Sequence, residues 1–144
     1  MNENALVLNT LQATTKKGGV FTTLNINDEK DQDLLLATQD NNEMEKINDH
    51  VGDVLTVTGL FVREREVEDT NSEGEVITYY KHNTILFTDD DKMYVTGSNA
   101  FWMSLDFILT LKGYPTREKP LKIKITQTDA KEKGHKYLKA VIVK

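Results

Sequence analysis

A small, strongly curled β-barrel plugged by one helix is the fold class this sequence predicts. It is all-β, with five core strands, a single capping helix and an N-terminal extension. Three observations predict it. Five stretches in the last two-thirds of the chain carry β-branched and aromatic residues, mostly in period-two alternation. One apolar helical run, AFWMSLDFILTLK, falls between the third and fourth of them. The first of the five is long and changes phase at Gly59, where a wrapping sheet needs a bend.

VLTVTGLFVREREVE (54–68) opens the barrel. Leu55 and Val57 share one face, and after Gly59 the residues Leu60 and Val62 carry the opposite phase, so a bulge or sharp bend is expected there. DTNSEG (69–74) has turn chemistry and leads into EVITYYKHNTILFT (75–88). DDD (89–91) turns the chain into KMYVTG (92–97). Ser98 or Asn99 caps the helix, and Phe101, Leu105, Ile108 and Leu109 fall on one face. Gly113 and Pro115 stop it. PLKIKITQ (120–127) and HKYLKAVIVK (135–144) alternate again, joined by TDAKEKG. Three strands, a helix and two strands is the connectivity of an OB-fold, a five-stranded Greek-key barrel with its helix between strands 3 and 4. The helix would plug the barrel, each buried apolar side chain contributing about 1.5–3 kcal/mol before entropy. The alternative is an antiparallel sheet with one packed helix in another topology.

The first fifty residues are the least periodic. GGVFTTLNI (18–26) alternates as a strand. NDEKDQDLLLATQ (27–39) reads as a helix capped by Asn27, or LLLAT as the return strand of a hairpin. NNEMEKINDHVGD (41–53) reads as a loop or short helical turn. The division expected is an arm over residues 1–30 and the barrel over 31–144. The arm either adds its strand to a neighbouring copy's sheet edge, making a homo-oligomer, or folds back on its own barrel.

The chain has no cysteine, so it forms no disulfide or thiolate metal site. MNENALVLNTLQATTKK lacks the order of a signal peptide, and the longest apolar stretch holds Asp106, so a cytoplasmic protein without a membrane span is expected. The charge is split: residues 112–144 hold ten Lys/Arg against three Asp/Glu, a net +7, while residues 1–111 carry −12. Such asymmetry hints at a polyanionic partner.

On an OB barrel a ligand meets strands two and three and the loops joining strands 1–2 and 4–5. The candidates there are Phe61, Arg63 and Arg65 on strand one, and Tyr79, Tyr80 and Lys81 on strand two, one tyrosine facing out. Strand three adds Lys92 and Tyr94, strand four Lys122 and Lys124, and the last hairpin Lys131, Lys133, Lys136, Tyr137 and Lys139. Interleaved aromatics and cations suit unpaired bases and phosphates, without need of a particular sequence. Plainer roles compete. Phe61 and the inward tyrosine are core candidates, and the strand-four lysines can guard an edge. Arg63 and Arg65 can pair with Glu64, Glu66 and Glu68 across strands. Trp102 is expected to pack. Asp89, Asp90 and Asp91 offer carboxylates for a divalent ion, which would suit a nuclease, but the EF-hand spacing is absent. His50, His82 and His135 lack ligand spacing, and no phosphate loop or nucleophile elbow appears. No catalytic residue, metal or cofactor is expected.

LTVTGLFVREREVED, HNTILFTDDDKMYVTGSNAFWMSLDFILTLKGYP, PLKIKITQT and GHKYLKAVIV together resemble OB-fold single-stranded-DNA-binding proteins of phages and conjugative plasmids of Gram-positive bacteria. The similarity spans residues 34–144. It implies non-enzymatic, SSB-like binding of single-stranded DNA, with duplex DNA as a second candidate, in replication or transfer of a mobile element. Familiar bacterial single-strand binders end in a flexible acidic tail, whereas this chain ends in AVIVK. Tail-mediated recruitment is therefore not implied, and oligomer contacts are expected from the N-terminal segment. The competing function is an OB-fold adaptor that binds proteins through the acidic first half.

Overall fold

The computed structural model describes residues 20–40, 43–129 and 136–143. The elements are β1 (Val20–Thr22), α1 (Glu29–Ala37), β2 (Met44–Lys46), a 3-10 turn (Ile47–His50), β3 (Val54–Thr70) and β4 (Val76–Thr88). Then come β5 (Met93–Thr96), α2 (Asn99–Lys112), β6 (Leu121–Asp129) and β7 (Lys136–Ile142). The five expected strands are β3 to β7, with α2 between the third and fourth. They form one mostly antiparallel sheet in the order β2-β5-β4-β3-β6-β7, and β1 joins β3 beside β6.

The expected slip in β3 is a bulge. Val57 pairs with Thr88 and Gly59 with Phe87, which leaves Thr58 as the extra residue. Two residues later in the pattern, Leu60 and Val62 face the same side as Leu55 and Val57. That inner side is the main core. Leu86, Ile123, Ile125 and Leu138 line it, and Phe101, Leu105, Ile108 and Leu109 of α2 fill it. Ser98 caps α2 by accepting from the Phe101 N–H, and Gly113 ends it at φ 85°. Trp102 packs here as expected, stacked on His82 at 5.5 Å between ring centroids.

The sheet curls but stays open, a half-barrel rather than a closed one. Two features hold it open. The outer edge of β5 is taken by β2 in parallel pairing. Helix α2 lies along β7, where the Ala140 N–H donates to Ser104 Oγ at 2.8 Å. An edge N–H that would have paired with another strand is thus satisfied by a side chain.

The N-terminal stretch from β1 onward folds back on its own sheet. Val20 pairs with Arg63 and Thr22 with Phe61. Thr22 Oγ donates to the Leu60 carbonyl at 2.7 Å, and the Leu60 N–H donates to Thr23 Oγ at 3.1 Å. Helix α1 starts at N-cap Asp28, one residue after the expected Asn27. Its Leu34 and Leu35 pack on the outer sheet face over Val20, Leu24, Phe61, Ile85, Phe87 and Met93, a second core. Buried Asp31 accepts from the Asn25 N–H and pairs with Arg117, which ties α1 to the loop before β6. A domain boundary at residue 30 would cut α1, so residues 20–30 belong with the sheet. The earlier residues of the proposed arm lie outside the described ones.

Gly59 is where the two layers come closest. A Cβ built there would sit 2.6 Å from Leu24 Cδ2 and 3.3 Å from Thr23 Oγ1. Leu24 is itself buried, so it has little room to retreat. Gly59→Ala is expected to destabilise the fold by roughly 1–3 kcal/mol, read as a lower urea midpoint with an unchanged slope.

Candidate functional site

Beyond Arg63 and Thr84 the strands β3 and β4 pair, among the described residues, only with each other, forming a two-stranded ribbon closed by the turn 71–75. Strand alternation separates the glutamates from the cations, while Asp69, opposite Ile77, falls on the cationic side. Glu64, Glu66 and Glu68 share the side that continues the inner face, where Glu64 meets His82 Nε2 at 3.0 Å. Arg63 lies opposite Asn83, and Lys81 and Tyr79 follow at two-residue intervals on the other side. Among the described residues no carboxylate lies within ion-pair distance of Arg63 or Lys81. The cross-strand pairing that would have neutralised Arg63 is thus absent there, because the glutamates project from the opposite face.

Two hollows adjoin this basic side. One, of about 310 Å³, is lined by Arg63, Lys81, His82, Asn83 and Gly97. The second, of about 230 Å³, is lined by Thr38, Gln39, Asn83 and Arg63, with Met44 and the buried Phe61 and Ile85 adding little apolar surface. The Arg63 guanidinium carbon sits 5.8 Å from the Phe61 ring centroid, within cation–π range.

The expected single groove is only partly assembled. Phe61 is 7% exposed in the outer core, and Tyr94 is 7% exposed in the inner one. Neither offers a free ring to a base, which corrects the expectation for both. Burial also pushes the Tyr94 hydroxyl's pKa up. Phe61 is buried because α1 roofs the outer face, a cover that the weak periodicity of residues 27–39 did not announce. Tyr79 is the outward tyrosine of the basic side. Lys92 lies in the turn at the far end of β4, 3.8 Å from Asp90, away from the ribbon.

Lys122, Lys124 and Tyr137 are exposed with Lys139 on the outer side of β6 and β7. Lys122 pairs with Thr56, seven positions before Arg63, roughly 23 Å along an extended strand. Thr23 and Leu24 pack over the intervening Gly59, so these residues form a second patch. Arg65 pairs with Lys81, Tyr80 with Glu66, and Lys136 with Asp129, but these three candidates' side chains are outside the described set. Lys131 and Lys133 lie outside the described residues altogether. Sequence reasoning missed Asn83, Gln39 and Gly97, polar or small residues that no cation–aromatic pattern singles out.

Among the described residues no three His, Asp or Glu side chains converge to hold a metal. The Asp89–Asp91 turn is internally engaged. The Thr88 hydroxyl hydrogen-bonds Asp90 and holds its carboxyl below the usual range, with Lys92 adding to the effect. Asp91 meets Lys30 of α1 at 3.3 Å. No helix among the described residues is long and apolar enough to cross a membrane.

A separate charged cluster surrounds His50, whose Nδ1 lies 2.9 Å from Asp53 and Nε2 3.4 Å from Glu45. The Asp53 hydrogen bond, helped by Glu45, raises the His50 pKa against the opposing effect of burial. The raised proton affinity belongs to the folded state. Its stabilisation is complete below the unfolded value near 6.5 and fades as pH rises through the higher folded value. His50→Gln should therefore cost more stability at about pH 5.5 than at about pH 8.5, measured as the difference in urea midpoints.

Compared with family models, curated proteins and solved structures, the chain matches none.

Proposed function

We propose that this protein binds single-stranded DNA without catalysing a reaction and with little overall sequence preference. The observation that carries the reading is the sorting of charge on the β3–β4 ribbon. Its glutamates occupy one side, while Arg63 and Lys81 stand without carboxylate partners among the described residues on the other, beside Tyr79 and two open hollows. Free cations release counterions when they meet phosphates, and an exposed ring stacks on any base. The fold in this reading is an OB barrel left open, β3 to β7 supplying the five strands. The resemblance of residues 34–144 to single-strand binders of Gram-positive phages and conjugative plasmids supports the same reading. A cytoplasmic protein of replication or transfer, multimeric through the segment before β1, completes it.

One observation favours a protein partner instead. On α2, Met103, Phe107 and Leu111 recur every fourth residue and are 67–69% exposed, a stripe left uncovered by the described residues. An adaptor would use that stripe and leave oligonucleotides unbound.

Anisotropy titrations of the full chain with single strands, duplex and RNA over a salt series separate the two. Binding is expected to be tightest for single-stranded DNA, and log K to fall linearly with log salt. Arg63→Ala and Lys81→Ala should each lower the slope by about 0.7. Tyr79→Ala should cost roughly 1–3 kcal/mol across all sequences alike. Salt-independent binding, or none at micromolar protein, would overturn the proposal.

A further inference from the structure

We propose that the open edge of β4 on the ribbon pairs with the same edge of a second copy of this chain, antiparallel and two-fold symmetric about Thr78. The inference does not rest on the nucleic-acid reading, and the surface is separate from the segment before β1.

Hydrogen-bond parity shows which backbone groups are open. In β3 both the N–H and the carbonyl of Leu60 are engaged from the β1 side, by Thr23 and Thr22. Backbone groups along an antiparallel strand point to alternate sides. Glu64, Glu66 and Glu68 therefore point away from β4. Their partners on β4, His82, Tyr80 and Thr78, point away from β3, as does Val76 opposite Thr70. Strand β5 covers that side of β4 only as far as Thr84. From His82 to Val76 the row of N–H and C=O groups is thus unpaired among the described residues. A bare row of this kind is a template for another strand.

The two edges of the ribbon are guarded differently. The β3 edge carries Glu64, Glu66 and Glu68, which repel a second copy of themselves. The β4 edge reads VITYYKHN (76–83), rich in β-branched and aromatic residues, with Lys81 as its one full charge and no proline or glycine. Val76, Ile77 and Tyr79 stand exposed along it.

The occupant follows from what this edge matches in itself. Centred on Thr78, the pairing sets Ile77 against Tyr79 of the second copy, and Glu75 against its Lys81. The first is an aromatic–β-branched pair and the second an opposite-charge pair, both favourable across strands. Two-fold symmetry makes each contact twice. Centring on Tyr79 would set Ile77 against Lys81 and Glu75 against Asn83, losing both. Centring on Tyr80 would drive Val76 of the second copy against Thr84, where β5 already pairs. At the His82 end, the hollow bordered by Gly97 leaves room for the second copy's turn. An exposed ion pair is weak and exchangeable, so Glu75 sets the register without withdrawing Lys81 from a phosphate. The result is a four-stranded sheet made of two ribbons, with the Arg63 side of both copies on one face. It supplies the further strands that a lone hairpin lacks for stability.

The chain has no cysteine, so a single Thr78→Cys reads the pairing directly. Opposed residues of a hydrogen-bonded antiparallel pair have Cα atoms about 5.5 Å apart, within disulfide reach. Val76→Cys, also exposed and on the same side of the strand, is the control, because it would lie about 13 Å or more along the strand from its own copy. The full-length variants, free of nucleic acid, are oxidised mildly and the linked dimer is measured on non-reducing gels. Thr78→Cys is expected to link and Val76→Cys to stay unlinked, both with wild-type melting temperatures. Adding Lys81→Glu to Thr78→Cys should lower the linked fraction, and adding Glu75→Lys as well should restore it. No link at Thr78, equal links at both sites, or a link indifferent to the charge swap would overturn the edge pairing. None of these results touches the DNA reading, whose own test is oligonucleotide binding.

Discussion

The extra residue at Thr58 is the constraint on which the rest of the molecule depends. A strand exposes alternate residues to alternate faces, so shifting its phase by one exchanges everything beyond that point. With the bulge, Leu55, Val57, Leu60 and Val62 all reach the inner core. Without it, Leu60 and Val62 would turn outward, and Phe61 and Arg63 would enter a core with no partner for a guanidinium. Burying that charge unpaired would cost several kcal/mol. The irregularity leaves backbone groups to satisfy, and the hydroxyls of Thr22 and Thr23 take up the N–H and carbonyl of Leu60. The N-terminal strand therefore seals the bulge as well as extending the sheet.

That arrangement explains what could be read from residue pattern and what could not. Strands β3 to β7 and helix α2 are legible because their alternation, the Ser98 cap and the Gly113 stop are local signals. So is the bulge, since Leu55, Val57, Leu60 and Val62 change phase in plain view. Closure was not legible. Whether β5 meets β7 or β2 depends on Met44–Lys46, three residues with no distinctive pattern. Nor was the roof over Phe61. Leu34 and Leu35 cover only a narrow strip, and Leu36 is 70% exposed, so α1 shows weak amphipathic periodicity although it buries a large ring beneath it. Phe61 and Tyr94 look like exposed platforms when strand alternation alone is considered. Phe61 becomes core once α1 is added as a second layer, whereas Tyr94 faces the inner core beside Ile47 and Leu86.

Covering the outer face moves the available chemistry to its margin. The free cations stand where α1 stops and the ribbon begins, at the boundary between a rigid two-layer body and a two-stranded projection. An isolated ribbon is marginally stable by itself, so its outer residues are held less firmly than Arg63 and Asn83 at its root. The hollows lie at that root. A site placed there combines a firm base with an adaptable margin, a combination suited to gripping a flexible polymer.

The bond between Ser104 and Ala140 has a consequence for the molecule's behaviour in a crowded solution. Strand β7 pairs with β6 on one side, and its other side would be a template for any extended chain that drifted past. The helix lies across this side, and a single hydroxyl occupies a central donor there. Replacing it with a group unable to accept a proton would leave the interior nearly as well filled but reopen the seam. The penalty would then fall less on folding than on staying dispersed: chains would begin to stitch themselves together along their last strand.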